Sequence, residues 1–69
     1  MEKGWKSVFA TGDEYLASIA KELLEEGGIE AVEISHKDSS YVWLGEIEFY
    51  VRDEDEVQAK TIVNQLNKG

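Results

Sequence analysis

The chain contains no cysteine and no proline, and it has a single histidine. Without cysteine there are no disulfide bonds, thiolate nucleophiles or cysteine-based metal sites. One histidine does not supply the ligands of an ordinary zinc site. A membrane-spanning helix needs about 18 apolar residues, and no apolar run in the chain is that long. The N-terminus also lacks the apolar stretch of a signal peptide. We therefore predict a cytoplasmic protein with no metal or other cofactor.

Basic residues are scarce: seven lysines and arginines stand against fifteen acidic residues, which gives a net charge of -8. A negative field of this size repels phosphate backbones and anionic lipid surfaces. The composition therefore argues against nucleic-acid and membrane partners.

The length of 69 residues allows one domain over residues 1–69. A chain this short buries only about 60% of the surface exposed by its unfolded form, so its net stability is expected to be small. Because no disulfide or metal is expected, either very regular packing or association with a partner, including a second copy, must supply the remaining stability.

Residue patterns predict the element order β-α-β-β-α. Trp, Val and Phe favour a first strand over residues 5–10. Thr11-Gly12-Asp13-Glu14 has the form of a capping box, with Thr11 as the N-cap of the first helix. Gly27-Gly28 ends this helix, because glycine adopts the left-handed cap conformation at low cost. Its apolar stripe contains Leu16, Ile19, Ala20, Leu23 and Leu24.

The second half of the chain predicts a hairpin followed by a helix. Residues 29–36 form the second strand, 37–40 a polar turn, and 41–51 the third strand, in which Gly45 marks a change of register or a bulge. Asp53 is the expected N-cap of the second helix, and Glu56 pairs with Lys60 on its exposed side. The apolar stripe of this helix contains Ala59, Ile62, Val63 and Leu66.

These elements predict an α+β fold with a three-stranded antiparallel sheet and two helices on one of its faces. A right-handed crossover connects the first two strands, and the third strand fits between them. This is the ferredoxin-like plan without its last strand. It leaves one strand edge without a neighbour. Depending on register, the other sheet face carries Trp5 or Val8, Val42 or Trp43, Leu44 and Tyr50.

The chain resembles a family of small prokaryotic domains described as a putative signal-transducing protein of unknown function. The matching residues are Phe9-x-Thr11, Ala17, Leu23-Leu24, Gly27-Gly28-Ile29-x-Ala31, the run from Gly45 to Val51, and Ala59 with Ile62-Val63. The resemblance implies a ferredoxin-like fold akin to nitrogen-regulatory PII-type proteins. It implies no catalytic residue, and this chain lacks the long nucleotide-binding loop of the PII type.

The candidate binding residues are aromatic. Trp5, Tyr41, Trp43 and Tyr50 are typical of a protein interface, and the alternative is that they are buried in the hairpin and the core. Lys37 begins the turn beside which a small molecule could bind. Ser35, His36 and Asp38 lie too close along one strand to form a catalytic triad, and His36 is interpreted as an ordinary strand-end residue. The acidic run Asp53–Glu56 lacks the glycine and late glutamate of a calcium loop and is explained by a helix start.

We therefore predict a non-enzymatic interaction or signalling module that binds a protein partner, or a second copy, through its open sheet face and edge. The alternative is a sensor of a metabolite or nucleotide that binds at a subunit interface or beside residues 37–41. No residues supply a convergent nucleophile, base and oxyanion donors.

Overall fold

The computed structural model describes residues 4–36 and 46–68, with side chains for 4–35 and 46–66. The elements follow in the order β1 (Trp5–Thr11), α1 (Glu14–Glu26), β2 (Ala31–His36), β3 (Glu46–Arg52), a 3-10 turn (Asp53–Asp55), α2 (Glu56–Val63) and a second 3-10 segment (Asn64–Lys68). The predicted order β-α-β-β-α and the α+β class are confirmed.

The three strands form one sheet in the order β1-β3-β2, and β3 is antiparallel to both of its neighbours. This confirms the predicted central position of the third strand. Residues 41–45, including the expected bulge at Gly45, lie outside the described residues. Within the described residues, a register shift occurs in β1, between Ser7 and Phe9. Because Val8 is the extra residue, both Val8 and Phe9 pack against the core.

The core lies on one side of the sheet. Its buried members come from both helices, from the segment before β2 and from β3: Ala17, Ala20, Leu24, Ile29, Phe49, Val51, Ala59 and Val63. Phe49 and Val51 share one face of β3 because alternate residues of a strand point to the same side. Both helices therefore pack on this face, as predicted. We call it the inner face and the opposite one the outer face.

The N-cap of α1 is Asp13, so the predicted capping role of Thr11 is wrong. The Asp13 Oδ1 atom accepts hydrogen bonds from the backbone N–H groups of Tyr15 (2.8 Å) and Leu16 (3.4 Å). Thr11 is the last residue of β1, where it pairs with Ile47. Its hydroxyl accepts a hydrogen bond from the Asp13 N–H at 3.1 Å. Thr11 thus supports the residue that caps the helix.

We expect Asp13→Ala to lower the free energy of unfolding by about 1 kcal/mol, because the first turn loses its acceptor. For a domain of this size that corresponds to a melting temperature lower by roughly 4–8 °C, measurable by circular dichroism. Thr11→Val keeps the side-chain shape and removes only the supporting hydroxyl, so its loss should be smaller. A larger loss for Thr11→Val than for Asp13→Ala would contradict this assignment.

The C-terminus of α1 is closed by a Schellman motif. Ile29 N–H donates to the Leu24 carbonyl and Gly28 N–H to the Glu25 carbonyl, both at 3.0 Å. Gly28 has a φ of 77°, which glycine adopts without the steric cost paid by other residues. Leu24 and Ile29 are both buried, so the motif joins the end of the helix to the core. The predicted helix end at the two glycines is confirmed.

The start of α2 differs from the prediction. Asp53 begins a 3-10 turn, and the N-cap of the α-helix is Asp55, whose side chain makes no capping hydrogen bond. The turn is attached to the start of β1 by a hydrogen bond from Asp53 N–H to the Gly4 carbonyl at 2.8 Å. The predicted pair of Glu56 and Lys60 is confirmed, with 3.2 Å between Oε2 and Nζ.

Candidate functional site

The outer face is the first candidate site, because neither helix packs on it. Residues paired across the strands point to the same side of the sheet. Trp5 pairs with Arg52, and Tyr50 lies between Ser7 on β1 and Val32 on β2. By this register the described members of the outer face are Trp5, Ser7, Ala10, Val32, Ile34, Glu46, Glu48, Tyr50 and Arg52.

Strand β2 directs its large apolar side chains away from the helices. Val32 and Ile34 pair with Tyr50 and Glu48 and are half-buried on the outer face. Glu33 and Ser35, which pair with Phe49 and Ile47, occupy the inner face instead. Ala31 determines which residues of β2 face inward, because it pairs with the buried Val51 and therefore points to the inner face. Both sides of β2 therefore depart from the usual pattern of apolar residues inside and polar residues outside.

Glu48 organises the centre of the outer face. Ser7 Oγ donates a hydrogen bond to Glu48 Oε2 at 2.6 Å, and Tyr50 Oη donates to Glu48 Oε1 at 3.0 Å. The carboxylate therefore joins β1 to its own strand and fixes the position of the Tyr50 ring. Hydrogen bonds to an ionised carboxylate are stronger than those between neutral groups.

Arg52 organises one end of the outer face. Its guanidinium carbon lies 5.3 Å from the centroid of a Trp5 ring, within the range of a cation–π interaction. Its Nη2 atom also donates to Glu30 Oε1 at 3.1 Å. This arrangement links the start of β1, the end of β3 and the residue before β2.

The Glu48 carboxylate also shifts the titration of Tyr50. Its hydrogen bond to the phenol, together with partial desolvation and its negative charge, raises the pKa of Tyr50 above the ordinary value of 10.0. The folded state therefore favours the protonated phenol. The resulting stabilisation is present at pH values below the unfolded pKa and is lost as the pH rises through the folded pKa.

We expect an absorbance titration of phenolate formation to show one tyrosine with a pKa above the usual range. The difference between the wild-type and Tyr50→Phe curves isolates Tyr50 from Tyr15 and Tyr41. In Glu48→Gln the pKa of Tyr50 should fall toward its ordinary value, because the negative charge is removed. Titration of Tyr50 at or below the ordinary value in the wild-type protein would contradict the hydrogen bond described above.

Two of the five predicted binding residues, Trp5 and Tyr50, lie on the outer face, and the structure resolves the alternative between Trp5 and Val8 in favour of Trp5. Lys37, Tyr41 and Trp43 lie outside the described residues, as does Asp38. His36 pairs with Glu46 at the end of β2. Glu48 and Arg52 were not among the predicted site residues, although the alternation of β3 already placed Glu48 on the same side as Tyr50.

A groove on the inner side of the sheet is the second candidate site. It lies between the first half of α1 and the paired ends of β2 and β3, and its volume is about 370 Å³. The lining residues are Gly12, Glu14, Ala17, Ser18, Lys21, Glu33, Ser35, Glu46 and Ile47. Lys21 Nζ lies 4.0 Å from Glu33 Oε1, and both side chains are partly exposed. The groove is therefore polar and charged, in contrast to the apolar core beside it.

Within residues 4–36 and 46–68, no three His, Cys, Asp or Glu residues are grouped closely enough to hold a metal ion. In the same segments, no helix is long and apolar enough to cross a membrane.

The strand order and the helix placement define a ferredoxin-like α+β domain. The chain belongs to the family described as "Putative prokaryotic signal transducing protein", whose family model matches residues 5–67. This confirms the resemblance inferred from the sequence. Comparisons with curated proteins and with solved structures found no match.

Proposed function

We propose that this chain is a non-enzymatic signalling module that binds a protein partner through the outer face of its sheet. The family description supports a role in signal transduction. The observation that carries the proposal is the orientation of β2, which directs Val32 and Ile34 away from the helices and the core. Apolar side chains gathered on one uncovered surface are typical of an interaction site.

The polar contacts of the outer face favour binding as well. Glu48 holds Ser7 and Tyr50, and Arg52 holds Trp5 and Glu30. Side chains that are already fixed lose less conformational entropy when a partner binds. Tyr, Trp and Arg are also the residues most often found at the energetic centre of protein interfaces. The face thus presents two ordered aromatic anchors beside two aliphatic side chains.

The charge of the chain indicates the kind of partner. Two copies at a net charge of -8 each repel one another, whereas a protein with a basic rim around an apolar patch is attracted. We therefore propose a basic protein rather than a second copy as the occupant of the outer face. Association of this kind weakens as the salt concentration rises.

The test compares a double variant, Val32→Thr with Ile34→Thr, with the control Val57→Thr. All three substitutions replace one β-branched side chain with another. Val57 lies on α2, away from the sheet, and is 79% exposed. A partner captured with the wild-type chain is identified, and its affinity for each purified variant is measured by calorimetry. We expect binding at least about tenfold weaker for the double variant and unchanged for Val57→Thr.

Circular dichroism of the double variant checks that it is folded. Equal affinities for the double variant and the wild-type chain would overturn the outer-face assignment. A wild-type dimer in native mass measurements that the double variant loses would replace the proposed partner with a second copy. A monomer that captures no partner would contradict the proposal altogether.

A second candidate function, a small-molecule sensor, is favoured by the groove between α1 and the ends of β2 and β3. Its volume of about 370 Å³ falls within the range of small-ligand sites, about 300–1,000 Å³. A thermal-shift screen against metabolites and nucleotides tests this function, because a ligand at about 100 times its Kd stabilises the folded state by about 2.7 kcal/mol. No shift with any compound would contradict it.

A further inference from the structure

The two edge strands of the sheet, β1 and β2, differ in how well their free edges are blocked. In the order β1-β3-β2, neither strand has a second neighbouring strand among residues 4–36 and 46–68. A free edge presents unpaired backbone N–H and C=O groups, to which another strand can be added. Natural proteins usually block such an edge with a bulge, a proline or a charged residue, above all a lysine.

Strand β1 carries two of these blocking features. The register shift between Ser7 and Phe9 leaves Val8 as an extra residue, which interrupts regular pairing and bends the strand. Lys6 is exposed nearby and, among the described residues, forms no ion pair. An added strand would have to follow an irregular backbone and remove water from this ammonium group, which is costly. The edge of β1 is therefore poorly suited to strand addition.

Strand β2 has neither of these features. It pairs with β3 in one unbroken register from Ala31 to His36, and it contains no lysine and no proline. Its one carboxylate is that of Glu33, which pairs with Phe49 on the inner face and whose side chain is 38% exposed. The edge of β2 is therefore regular, and a single charge restricts what can be added to it.

We propose that the edge of β2 accepts an extended segment of the partner protein in which apolar and basic side chains alternate. The inference rests on the proposed function and specifies how the partner binds. In strand addition the backbone hydrogen bonds supply affinity, and alternate side chains supply specificity. Residues opposite each other in neighbouring strands point to the same side. The apolar side chains of the segment would therefore lie beside Val32 and Ile34 on the outer face.

Glu33 determines the charge of the segment. A residue opposite Glu33 in an added strand points to the inner face, where a basic side chain is favoured and an acidic one is repelled. The contact of Glu33 with Lys21 can be exchanged for one with the partner, because the two charged atoms are 4.0 Å apart and partly exposed. Such pairs contribute little. A second copy is disfavoured, because it brings another Glu33 and a further net charge of -8 to the same edge.

The experiment measures amide hydrogen exchange by NMR in the isotope-labelled full chain, with and without a synthetic peptide. The peptide alternates lysine with valine and is blocked at both ends. Every second amide of an edge strand faces solvent and exchanges rapidly. At a peptide concentration ten times its Kd, we expect exchange of these amides in residues 31–36 to slow by about tenfold. The amides of β1 should be unaffected.

Two control peptides separate strand addition from general attraction between charges. One has the same composition, with its lysines and valines in separate blocks, so it keeps the charge and loses the alternation. The other alternates glutamate with valine, so it keeps the alternation and reverses the charge. At the same concentration, neither control should slow exchange in residues 31–36.

Two variants with the same change of charge test the role of Glu33. We expect Glu33→Lys to raise the Kd of the alternating lysine peptide about tenfold, because a favourable charge contact becomes a repulsive one. Glu54→Lys makes the same change on the 3-10 turn before α2, and at physiological ionic strength it should alter the Kd by less than about twofold. Circular dichroism checks that both variants are folded.

The remaining outcomes separate this inference from the proposed function. Equal protection by a control peptide, or equal Kd values for the two variants, would overturn the alternating basic segment. Slow exchange of every β2 amide in the free chain would also overturn it, because the edge would already be covered, by the chain itself in a monomer or by a second copy in a dimer.

Failure of the edge and failure of the outer face give different results. If no peptide slows exchange in β2, while a captured partner still loses affinity in the Val32→Thr and Ile34→Thr double variant, edge addition is overturned and the outer-face function stands. If neither a peptide nor a partner binds, both are refuted.

Discussion

Phe49→Ala should leave the chain largely unfolded at room temperature. Phe49 is 0% exposed in the central strand, and its ring centroid lies 6.3 Å from that of Phe9. Truncating a buried phenylalanine to alanine costs about 3–5 kcal/mol. A core of this size supplies no more than about 3–5 kcal/mol of net stability, so one substitution removes most of it. Far-UV circular dichroism and urea denaturation measure the loss.

Tyr15→Ala is the matched control, because it also truncates an aromatic residue. Tyr15 is 71% exposed in the first turn of α1, and exposed substitutions usually change stability by less than about 0.5 kcal/mol. Phe49→Leu should fall between the two and keeps the comparison measurable if Phe49→Ala does not fold. Equal denaturation midpoints for Phe49→Ala and the wild-type chain would show that the core is not built around Phe49.

Gly28→Val should have the second-largest effect, through the backbone alone. A Cβ atom at Gly28 would meet no atom within 4 Å, but the φ of this residue is 77°. A left-handed conformation costs about 1–2 kcal/mol for an L-residue, and a β-branched side chain is among the least tolerant of it. The variant must either carry this strain or give up the hydrogen bonds that close α1. Urea denaturation should show a loss of at least about 1–2 kcal/mol.

Gly28→Asn tests the cause, because asparagine occupies the left-handed region more readily than other residues with a side chain. The Gly28→Asn variant should lose clearly less stability than Gly28→Val, although the asparagine and valine side chains are of similar size. Losses of the same size in both variants would indicate that space, rather than backbone conformation, limits the position.

The fold was predictable because each element carries its own local pattern. The apolar stripes of the helices and the two glycines after α1 follow from short-range chemistry, and the strand order follows from the connections between elements. The helix starts were not predictable at the level of single residues. Thr11 and Asp13 are both good N-cap residues, and the choice between them depends on the pairing of Thr11 with Ile47, which is a long-range contact.

The candidate sites were predictable only in part, for the same reason. Alternation separates Val32 and Ile34 from Glu33 and Ser35, but it does not say which pair faces the helices. That is decided by the pairing of Ala31 with Val51. The expected bulge at Gly45 followed from a loss of alternation in β3, whereas the register shift in β1 has no glycine to mark it. Trp5 and Tyr50 were identified as aromatic residues beyond those the core needs.

The strand order β1-β3-β2 also has a consequence for the way the chain folds. The central strand is the last of the three in sequence, so neither β1 nor β2 has its strand partner until residues 46–52 are available. A chain emerging from a ribosome can form α1 early, but its sheet must wait for β3, which pairs with the nearby β2 and closes a much longer loop to β1. Domains dominated by such distant pairings fold more slowly than those built from local contacts.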